Sequence, residues 1–422
     1  MLVVSSVIGV GIFLTPGAIA DVLPAPGLIL AAWVVGGMLS LAGALANAEL
    51  GAMYPHAGGD YVYLREAYHP VAGFLVGWLS FFVIYAGTVA TLAAGFAEGL
   101  AYFVPLGTAG KVLAAVLITV ATSAINYVGV RPGARVNNLT AVVKVAALLA
   151  LVLIGPLLGA GSLAHFEPFL PELSAVPLSH FGLALSPVLF SYLGWNASVY
   201  VASEVRDPAR TIPRSLFVGL AVCTAIYLLV NVAYLYALPV AALRGDNRVG
   251  EAAARVFFGA AGGGIGAALI LASIVSCLNA TILVGPRIAY AMAIDGLFFG
   301  GVERVHPRYL TPHVAIAAQG LAAVALIALL QNFPSVLDYT TFAIVLATIA
   351  DTSALYALRR GQPNRPRPYR AWGYPLVPAF YLTANVGIAA AMLRGRALEC
   401  FVALAVTASG LPFYAWFARR RG

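Results

Sequence analysis

Two glycines interrupt an apolar stretch near the start of the chain, at Gly9 and Gly11 of "SSVIGVGIFLTPGA". Glycine lets a backbone leave helical angles at low cost, so the pair predicts a break in a helix. The freed N–H groups at the start of the second half-helix, around Gly11 and Ile12, suit a carboxylate. The freed carbonyl oxygens around Ser5 and Ile8 suit an ammonium group, which has only donors. Backbone groups of this stretch could therefore hold both charged ends of a zwitterion.

A second stretch, "SPVLFSYLGWNAS", carries comparable disturbances, which are Ser186, Pro187, Ser191, Gly194 and Asn196. Its freed carbonyl oxygens, around Phe190 and Ser191, would also suit an ammonium group. A ligand with both charges a few ångströms apart is an α-amino acid. The alternative interpretation is that Gly9 and Gly11 only allow close helix packing, since small residues are common in spanning helices. The matching break in the second stretch favours ligand binding.

Both stretches belong to a chain with the composition of an integral membrane protein. Of its 422 residues, 61% are hydrophobic and 9% are charged, which leaves too little polar surface for a soluble fold. About 20 apolar residues cross the hydrocarbon layer as a helix. The apolar segments lack period-2 alternation, so they predict helices rather than a barrel. Twelve spans are predicted, at 1–22, 27–53, 71–104, 112–130, 138–160, 180–203, 214–238, 262–292, 312–331, 335–357, 375–393 and 397–417.

Basic residues are distributed unevenly among the connections between these spans. With the amino terminus inside, the inner loops and tail carry seventeen arginines, the outer connections carry six basic residues, and Lys144 lies within a span. Cytoplasmic loops hold the excess of basic residues, so both termini are predicted to be cytoplasmic, in the inner (plasma) membrane. The net charge of +8 reflects this bias and attraction to anionic membrane lipids, not nucleic-acid binding. The three cysteines, Cys223, Cys277 and Cys400, lie in apolar segments and predict no disulfide framework.

The two interrupted segments are the first and the sixth. Broken helices five segments apart are typical of transporters built from two inverted five-helix repeats, with the ligand near the membrane midplane. We expect one all-α membrane domain over 1–422, with repeats over 1–160 and 180–357 and two additional helices over 375–417. Only eight residues precede Gly9, and at ~1.5 Å per helical residue they reach about 12 Å. We expect a full-length version to carry a polar tail and another helical turn.

Four stretches carry a resemblance to a known family. They are "SSVIGVGIFLTPGAIA", "NAELGAMYPHAGGDYVYLREAYHPVAGFLVGW", "GWNASVYVASEVRDPARTIPRSL" and "SIVSCLNATILVGPRIAYAMAIDGLFF". In this order they resemble the amino acid-polyamine-organocation superfamily, and within it the bacterial relatives of the L-type amino acid transporters. The resemblance covers nearly the whole chain. It implies a LeuT-type fold with two additional helices and sodium-independent amino acid transport.

The resemblance also implies roles for residues of the first break. The substrate carboxylate would bind the backbone of Gly9, Val10 and Gly11, and Ser5 and Ile8 would lie beside the amine.

The same resemblance bears on three residues of the second break. Phe190 lies where the family places an aromatic gate over the substrate, and Asn196 where a polar residue faces the pocket. Leu193 departs from the small residue of many close relatives, and its larger side chain could narrow the pocket.

Lys144 is one of two lysines and is flanked by valines inside a span. A charge at the centre of a bilayer costs upward of ~2.5 kcal/mol unless it is partnered. The alternative is that this lysine snorkels to the inner interface. In the family, a lysine here occupies the space of a sodium site and links segments 1, 5 and 8. Its polar neighbours on segment 8 would be Ser273, Ser276 and Asn279.

The acidic residues bear on the substrate. Neither break contains Asp or Glu, so we expect a neutral amino acid, with a cationic amino acid or another small amine as the alternative. Glu49, Glu98 and Asp351 lie within apolar segments but away from both breaks. Glu98 could take part in proton movement or form a structural hydrogen bond. Glu204, at the inner mouth, is expected to pin the inner loop through arginines.

Other protein classes are less consistent with the chain. A zinc protease would need spacing such as "HExxH", which His56, His69, His165, His180, His306 and His313 do not show. The "GGD" ending at Asp60 lies in an inner loop and lacks a partner aspartate in a neighbouring span. Channel-like repeats are missing, whereas an amino acid sensor without transport stays open.

We therefore expect a secondary transporter rather than an enzyme, with alternating access and substrate between segments 1, 3, 6 and 8. No cofactor, metal, nucleic acid or obligatory protein partner is predicted. Proton symport and exchange against a counter-transported amino acid are both left open.

Overall fold

The structure of the protein is a computed structural model. It describes residues 2–55, 58–158, 161–170, 177–195, 207–246, 248–330 and 333–421. In these ranges the regular secondary structure is helical throughout.

The helices up to Ser191 are α1 (Leu2–Val7), α2 (Gly11–Val22), α3 (Pro26–Met53), α4 (Asp60–Ala67), α5 (Pro70–Leu79), α6 (Ala86–Leu100), α7 (Thr108–Val128), α8 (Val130–Leu153), α9 (Gly155–Leu158) and α10 (Leu178–Ser191). A π-helical segment, Ser80–Tyr85, joins α5 to α6, and Leu163–Phe166 forms a 3₁₀ turn. The later helices are α11 (Pro208–Ala237), α12 (Val240–Leu243), α13 (Val249–Val284), α14 (Pro286–Ile294), α15 (His313–Leu330), α16 (Phe333–Gly361), α17 (Leu376–Gly395) and α18 (Ala397–Arg421).

Among the described residues, eight helical stretches are long and apolar enough to cross a membrane, namely Pro26–Met53, Pro70–Leu100, Thr108–Val128, Arg210–Ala237, Val249–Ile294, Val336–Gly361, Leu376–Gly395 and Ala397–Arg420. Four shorter apolar helices are Gly11–Val22, Val142–Leu158, Leu178–Ser191 and His313–Leu329. Together these stretches overlap the twelve predicted spans. The expected class, a polytopic helical membrane protein, is confirmed, while in the described part of the chain eight helices rather than twelve meet the length and composition of a span.

One predicted boundary differs clearly. The eighth span was expected at 262–292, but α13 begins at Val249 and its backbone leaves helical angles at Gly259. The sequence suggested a loop because charged residues are frequent there. Two of them, Glu251 and Arg255, instead pair one helical turn apart at 3.0 Å.

The packing brings the interrupted segments together. Helix α2 packs on α10, α3 packs along α11, and α13 packs against both α6 and α8. Most of the buried apolar side chains form one large cluster that runs through most of these helices, and a smaller cluster joins α6, α7, α15 and α16. The broken segments therefore lie in the interior of the protein.

A buried cluster of ion pairs holds the carboxyl-terminal part of α3 against α16. Nε of Arg359 donates to Oε1 of Glu49 at 2.9 Å, and Nε of Arg367 lies 3.3 Å from the same oxygen. The other oxygen of Glu49 accepts the N–H of Ala371 at 2.6 Å. Glu49 is fully buried. Its two oxygens thus join α3 to α16 and to the loop that follows α16.

Glu98 also has an ion-pair partner. Its Oε2 lies 2.8 Å from Nζ of Lys111, which joins the end of α6 to the start of α7. Both side chains are about one third exposed. Of the two roles considered for Glu98, this geometry favours the structural one.

Candidate functional site

The first break lies where the glycines predicted it. Helix α1 ends at Val7 and α2 begins at Gly11, and Ile8, Gly9 and Val10 between them are not helical. The first N–H groups of a helix have no acceptor inside that helix. The start of α2 therefore presents backbone donors and the positive end of a helix dipole.

The second break begins at the end of α10. The helix stops at Ser191, and a turn follows over 192–195. Gly194 in this turn has φ +106°, a left-handed conformation that favours glycine. A Cβ atom at this position would also lie 2.7 Å from the carbonyl oxygen of Ser6. Two further predicted residues, Asn196 and Glu204, lie outside the described residues.

The two breaks touch each other. A Cβ atom on Gly11 would lie 2.6 Å from Cα of Ser191, so only glycine allows this approach of the two backbones. The hydroxyl oxygens of Thr15 and Ser191 are 2.9 Å apart. The broken segments are thus joined by direct contact and by a side-chain hydrogen bond.

Tyr227 of α11 bridges the same two breaks. Its hydroxyl oxygen lies 2.7 Å from the carbonyl oxygen of Val7 and 2.8 Å from that of Ser191, and it can donate to either. The side chain is fully buried. The sequence predictions did not include this residue, although a tyrosine in the middle of an apolar span is a weak signal for an internal hydrogen bond.

A cavity of about 90 Å³ lies at the meeting point of the breaks. Its wall includes six of the predicted binding residues, which are Gly9, Val10, Gly11, Phe190, Ser191 and Gly194. Leu193 also lines it. Ile8 and Ile12 are fully buried behind the wall, and the side chain of Ser5 lies outside the described residues.

The rest of the wall comes from other helices. Segment 3 contributes Ile84 and Thr88 to the wall, α13 contributes Cys277, and α16 contributes Ile344. The expected segments 1, 3, 6 and 8 thus all reach the cavity, and segment 10 reaches it as well. Most of these side chains are apolar.

Two acidic residues also line the cavity, contrary to expectation. The expectations that Asp351 lies away from both breaks and that Asp60 lacks a partner aspartate are wrong, because both residues line this cavity. Helix α4 packs on α16, which brings the two carboxyl groups within hydrogen-bonding reach of each other. Sequence order does not show this contact, because 291 positions separate the two residues.

Helix α4 is held on its other side by Asp295. The hydroxyl of Tyr61 donates to Oδ2 of Asp295 at 2.5 Å, and Arg65 pairs with the same oxygen. Burial raises the pKa of Tyr61 above its ordinary value, which keeps the phenol protonated and able to donate. These bonds fix α4 against the end of α14.

Lys144 is buried in the packing of α8 against α13. It is only 2% exposed, so it does not snorkel out of the protein interior. Its Nζ lies 3.9 Å from Sγ of Cys277, a residue of the cavity wall. Of the predicted polar neighbours, Asn279 accepts a hydrogen bond from Asn126 at 2.8 Å, and the Ser273 hydroxyl has no partner among the described residues.

The comparison with protein families identifies the class. An apolar helical protein with two broken helices around a buried cavity has the features of a membrane transporter. The family model "Amino acid permease" matches residues 1–413. The chain therefore belongs to the amino acid permease family, as the resemblance indicated.

Individual relatives agree with this assignment. The serine/threonine exchanger SteT of Bacillus subtilis is 30% identical over 100% of this chain and 95% of the relative. The b(0,+)-type amino acid transporter 1 of rabbit is 28% identical over 99% of the chain and 86% of the relative. The human large neutral amino acids transporter small subunit 2 is 27% identical over 98% of the chain and 78% of the relative. Its name describes a subunit, whereas no obligatory partner is expected for this chain.

Proposed function

We propose that the protein is a sodium-independent secondary transporter of neutral L-amino acids that works by alternating access. The observation that carries this proposal is the contact of two broken segments, through Gly11 and Ser191, at a cavity. Membership of the amino acid permease family supports transport and not enzymatic chemistry.

The substrate carboxylate binds at the start of α2. The N–H groups of Gly11 and Ile12 have no acceptor within the helix, and the helix dipole favours an anion there. The absence of a side chain at Gly11 lets Ser191 pack against the start of α2, which holds the second break beside these donors. The backbone of the protein thus binds the groups that all α-amino acids share. Contacts with the substrate side chain decide which amino acids bind.

The substrate ammonium binds carbonyl oxygens of the two breaks. Those of Val7 and Ser191 already face the hydroxyl of Tyr227. A carbonyl oxygen has two lone pairs, so each of them can accept a second donor. Tyr227 thereby holds both carbonyls in place for the ammonium group.

The substrate side chain faces an apolar part of the wall. Phe190, Ile84, Leu92, Val284 and Ile344 all contribute to the cavity. Apolar contact stabilises an uncharged side chain, and burying an unpaired charge there would be costly. The names of the relatives, a serine/threonine exchanger and a large neutral amino acids transporter, support the same substrate class.

Lys144 takes the place of a sodium ion. Its buried ammonium group lies between α8 and α13, and both of these helices contact α1. A fixed positive charge at this point repels a second cation. Transport is therefore independent of sodium.

Alternating access moves one group of helices against the rest. We assign the inverted repeats to 1–160 and 180–357 and the additional helices to 375–417, with twelve spans and both termini in the cytoplasm. The hydrogen bonds from Thr15 and Tyr227 make the two broken segments move as one unit.

The experiment is counterflow in proteoliposomes that hold the purified protein. Vesicles are loaded with unlabelled serine, threonine, leucine, lysine or glutamate, and uptake of labelled serine is followed with sodium or choline as the outer cation. The proposal predicts saturable uptake with the neutral amino acids inside and equal rates in both salts. Stimulation only by lysine or glutamate, or a requirement for sodium, contradicts it. Amino acid binding without any uptake would mean a sensor.

A further inference from the structure

A groove opens on the exposed side of the helix bundle and is lined by α1, α8 and α11. It has a volume of about 550 Å³. Its wall includes Val4 of α1, Val142 and Leu149 of α8, and Val218 and Val222 of α11. No described residue lines both this groove and the cavity at the breaks. The groove and the cavity are therefore different sites.

The groove is apolar and open to the surroundings of the protein. Val142, Leu149, Val218 and Val222 are all exposed, and the stretches of α8 and α11 that carry them are apolar membrane helices. Among the described residues of the wall, only Ser215 is polar. Small-molecule sites typically measure about 300–1,000 Å³, and this groove lies within that range. It therefore has room for a ligand that is apolar along most of its length.

Two arginines continue the wall of the groove along α11. Residues four apart lie on one face of a helix, so Arg210, Arg214, Val218 and Val222 form one row. Both arginines are exposed. Side chains of a helix tilt toward its amino terminus, so the two guanidinium groups extend beyond the apolar wall. The row thus changes from cationic to apolar along the helix.

These arginines can receive an anionic ligand. In the described part of the chain neither Arg210 nor Arg214 forms an ion pair, although Asp207 lies one turn before Arg210. A guanidinium group carries five N–H donors and suits phosphate oxygens. An anion at this end of the groove therefore meets two cationic partners.

The predicted topology places this end of the groove at the cytoplasmic face, because α11 begins there when both termini are inside. The inner leaflet contains anionic lipids, and basic pockets between spanning helices bind their headgroups. A phospholipid with a net negative charge matches both parts of the site, since its acyl chain is apolar and its headgroup is anionic. A sterol has no anionic group, and a zwitterionic phospholipid carries a cation of its own.

We propose that an anionic phospholipid of the inner leaflet binds in this groove. Its headgroup lies at Arg210 and Arg214, and one acyl chain lies between α8 and α11. The proposal goes beyond amino acid transport and uses only the predicted topology.

The bound acyl chain also contacts the half-helix that precedes the first break. Val4 of α1 belongs to the wall of the groove. A Cβ atom on Gly219 would lie 2.7 Å from Cβ of Val3, so α1 packs closely on α11 beside the groove. A ligand stabilises the arrangement to which it binds. The lipid therefore holds α1 against α11 and raises the unfolding temperature.

The first test locates the lipid. The full chain is reconstituted in phosphatidylcholine vesicles with a trace of phosphatidylglycerol that carries a photoactivatable acyl chain, and labelled peptides are identified by mass spectrometry. We expect labels within 142–149 of α8 and 218–226 of α11. An excess of unlabelled phosphatidylglycerol should abolish these labels, which the bulk phosphatidylcholine does not.

The second test removes the charges at the end of the groove. Arg210→Gln combined with Arg214→Gln should lose the labels at the groove and the stabilisation by phosphatidylglycerol in thermal unfolding. The control combines Arg308→Gln with Arg360→Gln, which removes two exposed arginines elsewhere on the predicted inner side. It should keep both properties, because the net charge changes equally in the two variants.

The third test fills the groove. Val218→Trp places a larger side chain in the wall and should remove the labels from α8. Leu321→Trp, at an exposed position of α15 outside the groove, should leave them unchanged.

The outcomes separate this proposal from the transport function. Labels spread evenly over all spans, or labels that unlabelled phosphatidylglycerol does not remove, would mean bulk lipid only and overturn the site. Removal by cholesterol but not by phosphatidylglycerol would assign the groove to a sterol instead. In each case persistent serine counterflow leaves the transport function intact. Loss of counterflow in the wild type overturns transport but not the lipid site, because labelling needs no amino acid. If the arginine variant fails to fold, the competition in the wild type still decides.

Discussion

The hydroxyl groups of Thr15 and Ser191 lie 2.9 Å apart although 176 positions separate them in the sequence. Thr15 belongs to the helix after the first break, and Ser191 is the last helical residue before the second. The bond therefore joins the two places where the membrane helices are interrupted. Under the proposed function, the two breaks in contact act as one binding site.

Replacing Tyr227 by Phe should weaken both the fold and the site. The change removes the donor that serves the carbonyl oxygens of Val7 and Ser191 and leaves buried acceptors unpaired. We expect the free energy of unfolding to fall by about 1–3 kcal/mol and the serine affinity to fall as well. Thermal unfolding in detergent and counterflow measure the two effects.

The matched control lies two turns further along the same helix. Tyr234 is also buried, but its hydroxyl has no partner among the described residues. Tyr234→Phe should therefore be neutral or slightly stabilising. Equal losses in Tyr227→Phe and Tyr234→Phe would show that the bridge between the breaks has no special role.

Replacing Lys144 by Met should slow transport without unfolding the protein. Methionine is an unbranched side chain that fills irregular gaps, but it removes the charge beside the cavity wall. Couplings between two sites in a protein typically amount to 1–3 kcal/mol, so we expect a roughly 5- to 150-fold lower serine exchange rate.

The other lysine provides the control for that variant. Lys111 is 34% exposed and pairs with Glu98, and exposed pairs contribute only about 0.2–1 kcal/mol. Lys111→Met should exchange serine nearly like the wild type. An unchanged exchange rate in Lys144→Met would contradict the role given to this buried charge.

Replacing Glu49 by Gln should destabilise the protein strongly. Glu49 is fully buried and forms ion pairs with both Arg359 and Arg367. Breaking a buried ion pair by removing one partner costs about 3–5 kcal/mol, because a charge is left uncompensated. Glu66, a one-third exposed partner of Arg65, is the comparison. Glu66→Gln should lower the unfolding temperature little, and a similar drop in both variants would argue against the buried cluster.

The sequence predicted the local features of the site well. Glycine spacing is a local property, so the break between Val7 and Gly11 and the interruption after Ser191 could both be located. Apolar stretches are equally local, and the helical membrane class was predicted from them. Six of the proposed binding residues line one cavity, and all six belong to these two local breaks.

Features that depend on tertiary contact were not predicted. The contact of Asp60 with Asp351 arises because α4 packs on α16, and no sequence spacing encodes that packing. The bridge from Tyr227 likewise depends on α11 lying beside both breaks. A boundary was also missed at Val249, where charged residues suggested a loop although they pair along a helix.

Ligand-dependent thermal stability tests the central claim, that the backbone at the two breaks binds both charged ends of an amino acid. The purified protein is heated with serine, with serine methyl ester, which lacks the carboxylate, or with N-acetylserine, which lacks the ammonium group. Gly387→Ala serves as the control for Gly11→Ala, because a Cβ atom at Gly387 meets nothing within 4 Å. A ligand at 100 times its Kd stabilises a protein by about 2.7 kcal/mol. We predict that serine, but neither analogue, stabilises the wild type and Gly387→Ala by this amount. Serine should not stabilise Gly11→Ala. Equal stabilisation by serine and by either analogue would contradict the account.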